Sequence, residues 1–188
     1  MTIAVPLSPP HNMTFEEFLD WAITEEDLRV ELVDGEVEYM SPVSLAHQEL
    51  SGFLFTLMKM LAESRKSGQM FDQTFLMKAG PRTGREPDII FVATEHGDRV
   101  RATFLQGPAD LCVEVVSPES QSRDRETKLV EYRRLGVPEY WILDPVKQEA
   151  LFYQLQMGLP PPMAMTSSAR LSRRGCSPSV TLRSIGSG

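Results

Sequence analysis

Two short apolar runs decide the fold of this chain, Glu86–Val92 (EPDIIFV) and Asp110–Pro118 (DLCVEVVSP). Each has the length and the β-branched content of a buried strand, and each carries an acid among apolar residues. Because successive side chains of a strand point to opposite faces, Asp88 and Glu114 each share a face with apolar neighbours. A carboxylate in such surroundings costs free energy unless it is paired, hydrogen-bonded or bound to a cation. Asp88 and Glu114 are therefore candidate functional residues.

A helix is predicted directly after these runs, from Arg125 to Leu135, with Gly136 ending it. Lys128 and Tyr132 are four residues apart, and Arg125 precedes Lys128 by three, so all three lie along one ridge. If the helix crosses back over the end of the sheet, Lys128 reaches water bound at a metal ion. Magnesium takes one or two protein carboxylates and completes its shell with water and phosphate oxygens.

Structural readings of the same residues stay open at this point. Asp88 could simply begin a strand after Pro87, and Lys128 could be a solvated helix residue. Glu114 could form a salt bridge with Arg125 or Arg85.

The remaining pattern predicts a mixed α/β sheet flanked by helices. A capping-box helix begins after Thr14, and a hairpin turns at Asp34-Gly35. A long helix with one apolar face runs from Leu45 to about Arg65. Strands are expected at 70–77, 137–145 and 149–155, and a loop that could hold one short helical or extended piece at 95–107.

Composition indicates a single domain, residues 13–155, between a proline-bearing leader at 1–12 and a Pro/Ser/Arg-rich tail at 156–188. The tail is expected to hold at most an edge strand near Leu182. The chain shows neither a signal peptide nor a membrane span, so we expect a cytoplasmic protein. Of the two cysteines, Cys112 is read as a buried, reduced thiol. The formal net charge of -7 argues against a generalist nucleic-acid binder, although arginines gather in the tail.

Several motifs together resemble the Uma family of restriction-endonuclease-like proteins, within the PD-(D/E)XK nuclease superfamily. The resemblance covers roughly residues 14–153, in order. The matching residues are VELVDGE at 30–36, His47 at a helix start, EPDIIFV at 86–92, CVEVVSPES at 112–120, RDRETKLVEY at 123–132 and GVPEYWILDP at 136–145.

This resemblance implies a restriction-endonuclease-like core and a divalent-metal-dependent endonuclease that hydrolyses DNA, with Mg²⁺ or Mn²⁺ as cofactor. Asp88 matches the aspartate of the PD motif, Glu114 the second acid and Glu31 an N-terminal acid. The lysine usually stands two residues after the second acid, where this chain has Val116, and Lys128 on the next helix takes its place. The further matches, with supporting roles at most, are His47, Tyr132 and Asp144.

Alternatives to these assignments remain. His47 could be an ordinary hydrogen-bonding group at a helix start, and Tyr132 could serve packing. The chain as a whole could be a catalytically inactive nuclease-fold module that binds nucleic acid or protein. A homodimer is plausible because cutting two DNA strands needs two sites.

Overall fold

The computed structural model describes residues 10–24, 28–116, 126–155, 165–167 and 182–184, the last two stretches as backbone only. The predictions for residues 1–9, for Arg125 and for the tail at 156–164, 168–181 and 185–188 lie outside these ranges. In chain order the elements are α1 (Phe15–Ala22), β1 (Val30–Val33), β2 (Glu36–Tyr39), α2 (Leu45–Arg65), β3 (Gly68–Asp72), β4 (Leu76–Gly80), β5 (Thr83–Arg85), β6 (Ile89–Ala93), a 3-10 helix (Thr94–Arg99), β7 (Phe104–Gln106), β8 (Leu111–Val115), α3 (Lys128–Leu135), β9 (Glu139–Asp144), β10 (Glu149–Gln154), β11 (Met165–Ser167) and β12 (Leu182–Ser184).

Local sequence signals set several of these boundaries. The Thr14 hydroxyl accepts from the Glu17 backbone N–H, and the Glu17 carboxylate accepts from the Thr14 N–H, which completes the capping box of α1. Asp34 and Gly35 both have positive φ, 51° and 88°, as a two-residue hairpin turn of type I′ requires. Gly136 ends α3 in the left-handed conformation, with φ of 92°. These three predictions are confirmed.

The strands form two sheets. The smaller sheet has the order β2-β1-β5-β4-β7, and the larger has the order β12-β11-β10-β9-β8-β6-β3. Both are mixed, because β4 pairs parallel with β7 and β8 pairs parallel with β9, while the neighbouring pairs are antiparallel. The predicted fold class, a mixed sheet flanked by helices, is confirmed, but strands expected in one sheet are shared between two.

Helices cover both faces of the larger sheet. Tyr132 of α3 packs with Ile90, Cys112 and Tyr140 on one face. On the other face, Ala62 of α2 packs with a second set of strand residues, Met70, Ile89, Leu111 and Val113. Each strand of the sheet centre is therefore buried on both sides, which explains the nearly continuous apolar runs around Asp88 and Glu114.

The long helix α2 buries a different face from the one its apolar residues predict. Phe53, Leu57 and Leu61 are 67%, 44% and 45% exposed, whereas the buried side chains of α2 are those of His47, Ser51 and Ala62. Small residues let the helix approach the sheet closely, and Leu54 and Met58 pack at the margin. Helical periodicity identified an apolar stripe but not the face that meets the sheet.

The tail contributes two short strands beyond the predicted domain. β11 pairs with β10, and β12 pairs with β11, so the larger sheet continues past residue 155. The strand at Leu182 was expected as an edge strand, whereas β11 was not foreseen. No helix within the described ranges has the length and apolar character needed to cross a membrane.

Candidate active site

Asp88 and Glu114 come from neighbouring segments at one end of the larger sheet. Asp88 directly precedes β6, which pairs antiparallel with β8, the strand that contains Glu114. Oδ2 of Asp88 accepts from the backbone N–H of Val115, the residue after Glu114, at 2.7 Å. Both acids are buried, with 8% and 4% exposure. The structure therefore brings together the two acids that the sequence singled out.

Lys128 reaches this pair from the first turn of α3. Its Nζ donates to Glu114 Oε1 at 2.7 Å, and the Tyr132 hydroxyl donates to the same oxygen at 2.9 Å. Lys128 is 1% exposed and Tyr132 is fully buried, so neither is a solvated helix residue. Burial, together with the charge of Glu114, raises the pKa of Tyr132 well above its usual value. Tyr132 therefore stays protonated and acts as a hydrogen-bond donor.

Glu31 joins the site as a partner of Lys128. Its Oε1 lies 3.4 Å from Lys128 Nζ and accepts from the Glu86 N–H at 3.0 Å, while its Oε2 accepts from Arg85 Nη1 at 2.9 Å. Burial alone would raise the pKa of Glu31, but the charges of Lys128 and Arg85 outweigh it and lower the pKa to about 2. Both oxygens of an ionised Glu31 are thus already engaged, which favours a role through Lys128 over direct metal binding.

Arg85 and Glu131 belong to the site but were not among the predicted site residues. Arg85 is 1% exposed and donates to Glu131 through Nε at 2.8 Å and Nη2 at 2.7 Å. Burial opposes the charge of Arg85, yet the hydrogen bonds and charges of Glu131 and Glu31 raise its pKa. Their position in the sequence could have identified them, since Arg85 stands three residues before Asp88 and Glu131 three residues after Lys128.

Glu86 is a second residue that sequence reasoning did not place in the site. Its half-buried side chain lies between Arg85 and Asp88 in the chain, and its backbone N–H donates to Glu31. Burial and the neighbouring charge of Glu31 raise the pKa of Glu86 to about 7.

His47 contacts Asp88 from the first turn of α2. Its Nε2 lies 3.0 Å from Asp88 Oδ2, and the Val115 N–H donates to the same oxygen at 2.7 Å. The ring is 4% exposed, and its Nδ1 is buried without a hydrogen-bond partner among the described residues. His47 therefore has a specific partner in the site, beyond its place in the first turn of α2.

Two other acids that the sequence raised lie elsewhere. Asp144 accepts from the Val146 and Lys147 N–H groups in the turn after β9. Glu36, the last residue of the family run VELVDGE, is exposed, accepts from the Asn12 N–H and contacts His11. Neither one is among the described hydrogen-bond partners of Asp88, which are His47 and Val115.

The donor set fits a small hard cation bound by few protein ligands. Within the described ranges, no three or more His, Cys, Asp or Glu side chains are grouped so as to hold a metal ion. Oδ2 of Asp88 is occupied by two donors, whereas no described residue donates to Oδ1. Carboxylate oxygens with water and phosphate completing the shell suit Mg²⁺ or Mn²⁺ and not a site such as zinc uses. Burial raises the pKa of the Cys112 thiol, so it stays protonated and does not serve as a ligand.

Comparison with known proteins identifies the fold and the family of this chain. A solved structure from Anabaena variabilis ATCC 29413, described as "a putative nuclease belonging to DUF820", has the same fold, with a TM-score of 0.67 and 16% sequence identity over 83% of this chain and 84% of that one. No curated protein matches the chain. The family described as "Uma2: Putative restriction endonuclease" matches residues 15–174, which is most of the sequence. The chain therefore belongs to the Uma2 family of restriction-endonuclease-like proteins.

Proposed function

We propose that this protein is a divalent-metal-dependent endonuclease that hydrolyses phosphodiester bonds of DNA. One observation carries the proposal. Asp88 accepts a hydrogen bond from Val115, the residue next to Glu114, and the buried ammonium group of Lys128 lies 2.7 Å from Glu114. Two buried acids and a lysine at one end of a sheet can bind a metal ion and stabilise negative charge, which phosphodiester hydrolysis requires.

In this mechanism Asp88 and Glu114 would hold Mg²⁺ or Mn²⁺, which when bound lowers the pKa of coordinated water and neutralises phosphate charge. Lys128 donates hydrogen bonds to the attacking water and to the phosphate oxygen on which charge develops. Tyr132 holds Glu114 by donating to Oε1. The negative charge of Glu31, 3.4 Å from Lys128 Nζ, favours the charged form of Lys128. Arg85 and the Glu86 N–H hold Glu31 in that position.

The test is cleavage of supercoiled plasmid DNA with MgCl₂ or MnCl₂, comparing the wild type with Asp88→Ala and Lys128→Ala. Lys59→Ala is the matched control, because Lys59 is exposed on α2 and contacts only the Phe55 ring among the described residues. We expect nicked and linear products from the wild type and the control, and at least about 100-fold less from the two site variants. Wild-type cleavage by either site variant, with the fold intact, would exclude the proposal.

An inactive nuclease-fold module that binds nucleic acid or protein is the second candidate. The net charge of -7 favours it, because DNA binding draws on positive charge. Titration of the protein with MgCl₂ separates the two functions. A nuclease should show binding heat that is lost in both Asp88→Ala and Glu114→Ala. An inactive module should show no such heat.

A homodimer would place two such sites on one DNA molecule, one for each strand. The exposed apolar side chains Phe53, Leu57 and Leu61 of α2 are the kind of surface that subunit contacts bury. Light scattering of the full chain gives the mass, which would be twice 21.2 kDa for a dimer. With a dimer, linear DNA should appear early, whereas a monomer should accumulate nicked circles first.

A further inference from the structure

The contact between His47 and Asp88 joins the first turn of α2 to the acid at the start of β6. The Ser44 hydroxyl accepts from the His47 backbone N–H at 3.2 Å, so the helix start fixes the position of the histidine. The ring then spans to Asp88, 41 residues later in the chain, with Nε2 at 3.0 Å from Oδ2. A carboxylate oxygen accepts hydrogen bonds, so Nε2 carries the hydrogen and donates.

Both donors that hold Asp88 act on one oxygen. The Val115 N–H donates to Oδ2 at 2.7 Å from the strand that carries Glu114, and His47 donates to Oδ2 at 3.0 Å from α2. Two donors on Oδ2 fix the rotation of the carboxyl group. The other oxygen, Oδ1, accepts from no described residue.

We propose that His47 is a positioning residue that presents Oδ1 of Asp88 to the divalent cation, and that it is not itself a metal ligand. This inference rests on the proposed function, because it concerns the ion that Asp88 would bind. The residues that orient a metal-binding carboxylate set metal affinity, and their loss typically costs about 10- to 100-fold in affinity. His47 lies outside the network of Lys128, Glu31 and Arg85, so Asp88 is positioned by α2 and Lys128 by α3.

A purely structural role for His47 predicts a different outcome. The ring would then fill space and satisfy Asp88, so its removal would lower the free energy of unfolding but leave the metal affinity of the folded protein unchanged. Measuring affinity and stability on the same variants therefore separates the two roles.

The experiment measures the Kd of Mg²⁺ and of Mn²⁺ by calorimetry on the full chain, with urea unfolding alongside. His47→Phe removes the donor and keeps the ring, whereas His47→Gln places an amide N–H₂ group near the position of Nε2. Ser51→Ala is the matched control, because Ser51 is a buried polar residue of the same helix and its hydroxyl donates to the Gln48 carbonyl. We expect a Kd raised about 10- to 100-fold in His47→Phe, and within about 3-fold of wild type in His47→Gln and Ser51→Ala.

Two results would overturn the inference and leave the proposed function standing: a wild-type Kd in folded His47→Phe, or an equal loss of affinity in the Phe and Gln variants. If His47→Phe does not fold, His47→Asn decides in its place, since its amide is too short to reach Asp88 and should raise the Kd as Phe does. Failure of the wild type to bind either ion would overturn the proposed function and this inference together.

Discussion

Arg85 and Glu131 are joined by two parallel hydrogen bonds, Nε to Oε2 at 2.8 Å and Nη2 to Oε1 at 2.7 Å. Arg85 ends β5, three residues before Asp88, and Glu131 lies one helical turn after Lys128. The pair therefore ties the strand that leads to the first acid to the helix that carries the lysine. The third nitrogen of Arg85, Nη1, donates to Glu31. The other oxygen of Glu31 lies 3.4 Å from Lys128 Nζ, which gives a second link between Arg85 and the lysine.

Arg85→Lys should be strongly destabilising although it keeps the charge. A lysine cannot make the paired hydrogen bonds to Glu131 and also bind Glu31, so buried carboxylates lose partners. We expect a loss of about 3 kcal/mol in the free energy of unfolding, measured by urea titration. Arg101→Lys is the control and should cost about 0.5 kcal/mol or less, because Arg101 is exposed and its side chain bonds only the Asp98 carbonyl among the described residues. A loss below about 1 kcal/mol for Arg85→Lys would show that the pair contributes little.

Glu31 should make the stability of the protein fall in acid. Its pKa is lowered from 4.5 to about 2 in the folded state, so the folded protein binds this proton less readily than the unfolded chain. The stabilisation is full above pH 4.5 and is lost as the pH falls towards 2. The shift corresponds to about 3 kcal/mol at neutral pH.

Glu31→Gln tests this prediction. The variant should be less stable than wild type at pH 7, and the difference should shrink as the pH falls from 4.5 towards 2. Urea unfolding at several pH values gives the free energy of unfolding of both proteins as a function of pH. The same difference between them at every pH would show that the charge of Glu31 is not what stabilises the fold.

Glu86 should make the metal-free protein less stable as the pH rises, the opposite of the effect of Glu31. Burial and the charge of Glu31 raise its pKa to about 7, so the folded state binds this proton more tightly than the unfolded chain, whose value is 4.5. The stabilisation is present below pH 4.5 and is lost as the pH rises to about 7. Glu86→Gln should therefore be more stable than wild type at pH 8, measured by thermal unfolding in EDTA, and the gain should vanish near pH 4. An unchanged melting temperature at pH 8 would contradict this.

Gly52→Ala should stabilise α2. Gly52 lies in the middle of the helix, and a methyl group added there meets nothing within 4 Å. Alanine loses less backbone entropy than glycine in a helix, which predicts a gain of about 0.5–1 kcal/mol. Chemical denaturation in dilute and concentrated solution provides the measurement. Destabilisation that appears only at high concentration would indicate that another copy of the chain packs closely against this face of α2.

The sequence by itself determined the local features of this protein. The capping box at Thr14, the turn at Asp34-Gly35 and the end of α3 at Gly136 depend on neighbouring residues, so their signals are complete within a few positions. Strand alternation likewise placed Asp88 and Glu114 among apolar side chains, and helical spacing together with the family motifs pointed to Lys128.

Only the tertiary structure decided which of these groups meet. The Arg85–Glu131 pair joins residues 46 positions apart and the His47–Asp88 pair residues 41 apart, and neither spacing leaves a periodic signal. The division into two sheets depends on β5, which has three residues and is too short to show alternation. Periodicity tells which side chains share a face, whereas the contacts of that face depend on packing between distant segments. For that reason α2 turns Phe53 and Leu57 outward and directs His47, a polar residue, towards the first acid of the site.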